Sequence, residues 1–164
     1  MMTIHATKKL MAKLPVNEAG LLPLREKTIY LAERDDAAPS PLGSWHANLL
    51  TLQRRNCVLL VHDQTRFPVF IPALKKADLA NLDWWFSDAL MNTLLKCGAN
   101  DRQMALAAEM LHRLQVDSVC DRSVQGTMNR MASDIEHMLY YDSINLAEIT
   151  GYRLSAWLAH RPCS

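Results

Sequence analysis

Three apolar segments that follow one another closely constrain the fold of this chain more than any other feature. They span residues 45–52, 57–62 and 67–71, and each linker between them holds four polar residues. Strands joined by such short linkers pair antiparallel, so the pattern predicts a three-stranded meander. The middle segment is apolar throughout 57–61, which predicts a strand covered on both faces. Pro68 has no amide donor, so the third strand is predicted at an edge or a bulge.

The other periodic segments predict two more strands and a set of helices. Residues 2–6 alternate and residues 116–120 form a short apolar run, so each is predicted as a strand. Apolar residues at three- and four-residue spacing predict helices over 8–14, 78–96, 101–114, 124–141 and 146–160. The fold class is therefore α+β, with a small antiparallel sheet made of the meander plus the N-terminal and 116–120 strands, packed with about four to five helices. A doubly wound parallel sheet is disfavoured because the strands cluster instead of alternating with helices.

Length favours a single domain. A chain of 164 residues can bury a core of its own, so residues 1–164 are predicted to form one domain. Within it, residues 15–44 hold four prolines and two glycines and show no clear period. This stretch is predicted to be a mobile loop, with a short strand or a helical turn at 28–31.

Charge and hydropathy exclude several classes of protein. The net charge of +1 disfavours a protein that coats DNA but leaves room for a local basic patch. That patch would suit nucleic acid or a nucleotide and would gather Lys8, Lys9, Arg54, Arg55, Arg66 and Arg122. Ordinary solvated charge is the alternative. No apolar run reaches the length of a membrane span and no signal peptide is recognisable, which predicts a cytoplasmic protein without membrane association.

The four cysteines predict neither a zinc site nor a nucleophile. None of them form a Cys-x-x-Cys pair, and His46, His62 and Asp63 lack a spacing typical of metal ligands. Cys57 and Cys120 fall in apolar, strand-like runs, where a thiol acts as a small buried hydrophobe and reacts poorly. We therefore expect no metal and no cofactor.

A polar stretch at 121–129 joins the 116–120 strand to the helix that follows it. Ser123 is predicted to cap this helix. One interpretation is an anion or phosphate site, formed by Arg122 and the helix N-terminus, with Gly126 permitting close approach and Asn129 facing the same way. The other is a capped helix in which Gly126 packs against the sheet and Asn129 fixes a loop.

The turns of the meander supply further candidates. His62 suits a general base, and Ser123 suits a nucleophile paired with His62 or His46, although no Gly-x-Ser-x-Gly elbow is present. A structural hydrogen bond is the alternative for His62. Trp45 suits a stacking platform or a core aromatic. The candidate catalytic residues are thus His62 and Ser123, and the candidate ligand-binding residues are Lys8, Trp45, Asn48, His62, Arg66, Arg122, Ser123, Gly126 and Asn129.

Several short motifs together resemble a known family. In order along the chain they are Thr7–Met11, Trp45–Leu49, Arg55–His62 with Thr65–Phe67, and Arg122–Asn129. This pattern resembles a family of small bacterial proteins of unknown function with the motifs TKKLL, W-x-ANL and RSV-x-G-x-MN. It is also similar to a segment found in plasmid pRiA4b ORF-3-like proteins. The resemblance spans roughly residues 2–140, leaves out the last helix, and implies no activity.

Two functional hypotheses follow. The first is a non-enzymatic binding or regulatory module associated with mobile DNA, because no strong catalytic signature is present. The alternative is a small enzyme acting on nucleic acid or a nucleotide, ribonuclease- or toxin-like, in which Arg122, Ser123 and Asn129 face one cleft with His62 and Arg66. Trp84 or Trp85 falls off the apolar stripe of its helix, where it would reach a second layer of the core or, if exposed, mark a partner surface. The last helix, with Trp157, is a second candidate for a dimer contact, and the sequence favours a homodimer.

Overall fold

The computed structural model describes residues 1–33 and 40–160, and this part of the chain has an α+β fold. Five strands form one sheet in the order β4-β3-β2-β1-β5. Their bounds are β1 Met2–Ala6, β2 Ser44–Leu52, β3 Arg55–His62, β4 Pro68–Ile71 and β5 Leu114–Asp117. The predicted fold class is confirmed at this level.

The sheet is mixed, so the prediction of an antiparallel sheet is only partly right. β2, β3 and β4 form the predicted antiparallel meander. β1 instead runs parallel to both of its neighbours, β2 and β5. The physical reason lies in the connections: β1 is separated from β2 by residues 7–43, which is long enough for a crossover, whereas the meander strands are joined by tight turns.

Two predictions about the meander are confirmed. β4, which contains Pro68, is an edge strand. β3 is covered on both faces, because Val58 and Leu60 belong to one core cluster while Leu59 and Val61 belong to the other.

Seven α-helices are present in the described residues, more than the predicted four to five. They are α1 Lys8–Met11, α2 Ile29–Ala32, α3 Lys76–Leu79, α4 Leu82–Lys96, α5 Asp101–Met110, α6 Arg122–Tyr141 and α7 Gly151–Ala159, with 3-10 turns at Glu26–Thr28 and Leu146–Glu148. The predicted helix at 78–96 is divided into α3 and α4, and the Asp78 carboxylate accepts a hydrogen bond from the Lys75 amide at the start of α3. The segment at 28–31 is helical, and Leu114 belongs to β5, not to a helix.

The two faces of the sheet carry separate cores. On one face, Phe86 of α4 packs with Trp45 of β2, and Leu10 of α1 joins the same cluster. On the other face, α6 and α7 cover the sheet, with Met128 and Leu154 among the buried residues. A strand residue therefore contacts α1 and α4 on one face of the sheet and α6 and α7 on the other.

α7 covers the edge strand β4. The Phe70 amide donates a 2.7 Å hydrogen bond to Ser155 Oγ, and this amide would otherwise be an unpaired donor on the sheet edge. The close approach requires Gly151, since a Cβ there would lie 2.5 Å from the Phe70 carbonyl oxygen. The last helix is thus packed closely against the sheet.

The segment at 15–44, predicted to be mobile, contains ordered contacts in its described part. Leu21 bridges to Gln115 of β5. Gly20 has a positive φ of 78°, and a Cβ there would lie 2.3 Å from the Val116 carbonyl oxygen. Residues 34–39 of this segment, and Cys163, lie outside the described residues, and the mobility stays a prediction.

The exposure of the tryptophans and the length of the helices bear on possible contacts with a second copy or a membrane. Trp84, Trp85 and Trp157 are each half-buried, and a homodimer through them stays a prediction. Within the described residues, no helix combines the length and the apolar character that crossing a membrane requires.

Candidate functional site

A crevice opens where β1 and β5 end side by side. After β1 the chain enters α1, whose Leu10 packs on one face of the sheet; after β5 it enters α6, whose Val124 packs on the other. Two adjacent parallel strands whose connections leave to opposite faces create a topological switch point, which is where open sheets bind ligands. A cavity of about 330 Å³ lies there.

We call this cavity the crevice pocket. Its polar lining consists of His5, Thr7, Lys8, His46, Ser118, Cys120 and Gln125, and its apolar lining includes Val119 and Met128. Its volume is at the lower end of the range typical of small-molecule sites. Neither the Lys8 ammonium nor the Ser118 hydroxyl has a hydrogen-bond partner in the described chain, so both donors are available to a ligand.

His5 is held between two carboxylates. Its Nδ1 lies 2.6 Å from Asp117 Oδ1, and its Nε2 lies 3.7 Å from Asp63 Oδ2. Asp117 is itself fixed, because its Oδ1 accepts a hydrogen bond from the Val119 amide. The ring of His5 is therefore oriented, and only 17% of its side chain is exposed.

His46 is a buried link between three segments. The Asp121 amide donates a 2.9 Å hydrogen bond to His46 Nε2, so that nitrogen carries no proton. The proton must then be on Nδ1, which donates to Asp63 Oδ1 over 2.7 Å. Both ring nitrogens are used within the protein, and His46 ties β2 to the end of β3 and to the start of α6.

Asp121, and not Ser123, caps α6. Its Oδ1 accepts hydrogen bonds from the amides of Val124 and Ser123, at 3.2 and 2.8 Å. The bond from Val124 and then that from Ser123 hold the pKa of Asp121 below its usual range. These two amides are thus already hydrogen-bonded, so the N-terminus of α6 has fewer free amides for a phosphate than expected.

The structure brings Arg66 and Ser123 together but leaves His62 elsewhere. Arg66 Nη2 donates a 3.0 Å hydrogen bond to Ser123 Oγ. His62 lies on the opposite face of the sheet from His46, with its ring 4.9 Å from that of Trp45. Its Nε2 is 2.7 Å from the Leu42 carbonyl oxygen, and its Nδ1 is bonded to Thr65. The expected cleft shared by His62 and Ser123 is not formed.

The remaining predicted residues are dispersed. Trp45 is a core residue, 2% exposed, and Asn48 accepts a 2.7 Å hydrogen bond from the Thr7 hydroxyl. Arg122, Gly126 and Asn129 are exposed on α6. A Cβ on Gly126 would meet nothing within 4 Å, so this glycine does not pack against the sheet. Lys8 alone among the predicted ligand-binding residues lines the crevice pocket.

The six basic residues do not form one face. Arg54 and Arg55 lie at the β2–β3 turn, whereas Arg66 lies beyond the far end of β3. The seven residue steps from Arg55 to His62 span roughly 23 Å.

The prediction that Cys120 is buried in a strand is wrong. β5 ends at Asp117, so Cys120 lies in the loop before α6, where it is exposed and lines the crevice pocket. Its Sγ is 2.8 Å from Gln125 Oε1. Cys57 is buried as predicted, and burial raises the pKa of its thiol. Among the described residues, no group of three or more His, Cys, Asp and Glu side chains is arranged to hold a metal ion.

Comparison with known proteins places the chain in a family. No curated protein and no solved structure matches it. A family model described as domain of unknown function (DUF6933) matches residues 3–164. This match includes α7, so the expectation that the resemblance ends near residue 140 is wrong; the similarity to plasmid pRiA4b ORF-3-like proteins stays a prediction. The expected membership of an uncharacterised family is confirmed: the chain belongs to the DUF6933 family of domains of unknown function.

Proposed function

We propose that the protein is a binding module that takes a small ligand with an anionic group, such as a nucleotide, in the crevice pocket. The observation that carries this proposal is the position of the pocket, at the switch point between the carboxyl ends of β1 and β5. Lys8 supplies the positive charge, and Ser118 and the Gln125 amide supply further donors. Val119 and Met128 provide apolar walls for the uncharged part of the ligand.

The fixed hydrogen bonds around the pocket support binding. His5 and His46 are held by Asp117, Asp63 and the Asp121 amide, so these walls are already in place before a ligand arrives. A wall that does not rearrange costs little entropy on binding. The resemblance to plasmid-borne proteins supports a regulatory role associated with mobile DNA, and the free thiols of Cys57, Cys97 and Cys120 suit a reducing cytoplasm.

The test is titration calorimetry with inorganic phosphate and a panel of mononucleotides on wild type, Lys8→Ala and Lys9→Ala. Lys8 lines the pocket and its exposed neighbour Lys9 does not, so Lys9→Ala controls for the loss of one charge. We expect the Lys8 variant to bind the best ligand about 10- to 100-fold more weakly, because a charge-assisted hydrogen bond is lost. Equal affinities in the two variants, or no binding by the wild type, would refute a ligand site at this pocket.

A second candidate is an acid–base enzyme acting on a nucleotide or nucleic acid. The 2.6 Å contact between Asp117 and His5 favours it, because a carboxylate that orients an imidazole in a pocket is an arrangement typical of proton transfer. In this hypothesis His5 takes the acid–base role that the sequence assigned to His62.

Hydrolysis of nucleotides and short RNAs by wild type, His5→Gln and His160→Gln tests this candidate. We expect His5→Gln to lower turnover by about 100-fold or more, and the exposed His160 variant to leave it unchanged. Ligand binding without any turnover, in wild type as in His5→Gln, would leave the binding module as the function.

A further inference from the structure

Two adjoining grooves lie at the β2–β3 turn, at the other end of β2 from the crevice pocket. The first, the tyrosine groove, has a volume of about 760 Å³ and is lined by Gln53, Arg55, Tyr140 and Ser143 among others. The second, the arginine groove, has a volume of about 500 Å³ and is lined by Arg54, Arg55, Asn56, Ala73, Leu74 and Lys75. Arg55 lines both, so the two grooves meet at this side chain and together make one surface.

One aromatic ring, that of Tyr140, lines the tyrosine groove and stands exposed. Tyr140 is 78% exposed and Tyr141 is 67% exposed, at the last turn of α6. Tyr141 packs against His137, with ring centroids 4.1 Å apart and the ring planes tilted by 35°, whereas the Tyr140 ring meets Tyr141 only edge to face, at 5.1 Å. One face of Tyr140 is therefore open to a planar partner.

Positive charge concentrates at the arginine groove. The guanidinium groups of Arg54 and Arg55 and the ammonium of Lys75 form no ion pair within residues 1–33 and 40–160, and all three side chains are exposed. The arginine groove has no carboxylate among its lining residues, and Glu136 is the acid that lines the tyrosine groove. Unpaired cations arranged along a groove match a chain of phosphates.

Backbone strain is concentrated at the same place. Within the described residues, five non-glycine residues have a positive φ, and four of them line these grooves: Gln53 (49°), Arg54 (64°), Ala73 (56°) and Ser143 (51°). A two-residue hairpin turn with both φ angles positive normally contains Asn-Gly, because bulkier residues are strained there. Strain of this kind clusters at functional sites, and here it holds Arg54 at the end of the hairpin.

We propose that this surface binds single-stranded nucleic acid, with phosphates on Arg54, Arg55 and Lys75 and a base stacked on Tyr140. Exposed aromatic rings beside a cationic groove are the means by which proteins bind single strands without reading their sequence. A nucleic acid fits better than an acidic peptide, because only the nucleic acid offers a planar ring to Tyr140 for each phosphate it places in the groove. This surface is separate from the crevice pocket, so it goes beyond the proposed function and does not depend on it.

The test is fluorescence anisotropy with a short labelled oligouridine at about 50 mM salt, where phosphate contacts are strong. Tyr140→Ala is expected to weaken binding by about 5- to 100-fold because stacking is lost, whereas Tyr140→Phe keeps the ring and the affinity. Tyr152→Ala, which removes a tyrosine 39% exposed on α7, is the matched control and should bind as the wild type does.

The charge contribution is tested by its dependence on salt. Three phosphate contacts to a single strand predict a slope of about −2 for log K against log salt. Arg54→Gly combined with Arg55→Gln and Lys75→Gln should bring the slope close to zero, and glycine accepts the positive φ of residue 54 without strain, so the turn is preserved. Circular dichroism of every variant confirms folding.

Four results would overturn the proposal. These are no binding by the wild type, equal affinity of Tyr140→Ala and wild type, preference for duplex over single strand, and competition by polyglutamate as effective as by unlabelled oligouridine. Because Lys8→Ala leaves this surface intact, it should bind oligouridine like the wild type. Ligand binding at the crevice pocket and nucleic-acid binding at this surface can thus be refuted independently of each other.

Discussion

Asp83 is a carboxyl group that the fold buries without fully satisfying it. It lies in the first turn of α4, is 3% exposed, and its Oδ1 has no hydrogen-bond partner within the described chain. Burial raises the pKa of Asp83 to about 7, while the charge of Arg113 and a hydrogen bond from the Leu114 backbone act in the opposite direction. The folded protein therefore holds a proton on Asp83 that the unfolded chain releases at much lower pH.

Stability should consequently fall as the pH rises. Because the folded pKa lies above the unfolded one, the stabilising effect of protonation is complete below about pH 4 and is lost as the pH passes 7. Asp83→Asn cannot lose a proton, so the free energy of unfolding of wild type relative to this variant should decrease by up to about 4 kcal/mol between pH 4 and pH 8. Urea denaturation of both proteins across this range measures the difference. Parallel pH curves for the two proteins would contradict a buried, titrating Asp83.

At the scale of elements, the contact between α7 and β4 shows how a terminal helix protects a sheet edge. β4 is four residues long and pairs with β3 on one side only. Ser155 Oγ accepts from the Phe70 amide and donates to the Gly151 carbonyl oxygen, at 2.7 and 2.8 Å. One hydroxyl thus satisfies a sheet donor while remaining bonded within its own helix.

Removing that hydroxyl should destabilise the fold. Ser155→Ala leaves the buried Phe70 amide without an acceptor, which costs about 1–3 kcal/mol. Ser133→Ala, at an exposed position of α6, is the matched control and should change stability by less than about 0.5 kcal/mol. Chemical denaturation measures both values. Equal stability of the two variants would show that the α7 contact contributes little.

At the scale of the whole molecule, local patterns predicted more than distant ones. The meander, the edge position of β4 and the double coverage of β3 follow from short linkers, a proline and a continuous apolar run, all of which are local. The parallel neighbours of β1 are not readable in this way, because Ile4 pairs with Trp45 and with Val116, far along the chain. Pairing over such separations depends on how the intervening helices pack.

In the candidate site, too, local patterns were predictable from the sequence and contacts between distant residues were not. Lys8 was identified from a motif, whereas the contact of His5 with Asp117 joins residues 112 positions apart and leaves no local pattern. A signal was nonetheless present: polar residues alternate with apolar ones at the ends of both strands, at Thr3 and His5 and again at Gln115 and Asp117. Alternation marks which face a polar residue occupies, but not which residue it meets.

The parallel placement of β1 has a consequence for how the protein is made. β1 precedes both of its sheet neighbours in the chain, and β5 is synthesised only after α5 is complete. A growing chain that ends before residue 114 can pair β1 with β2 but leaves its other edge open, and an open strand edge is a site for aggregation. The pocket at the end of β1 therefore comes into existence late, when β5 docks.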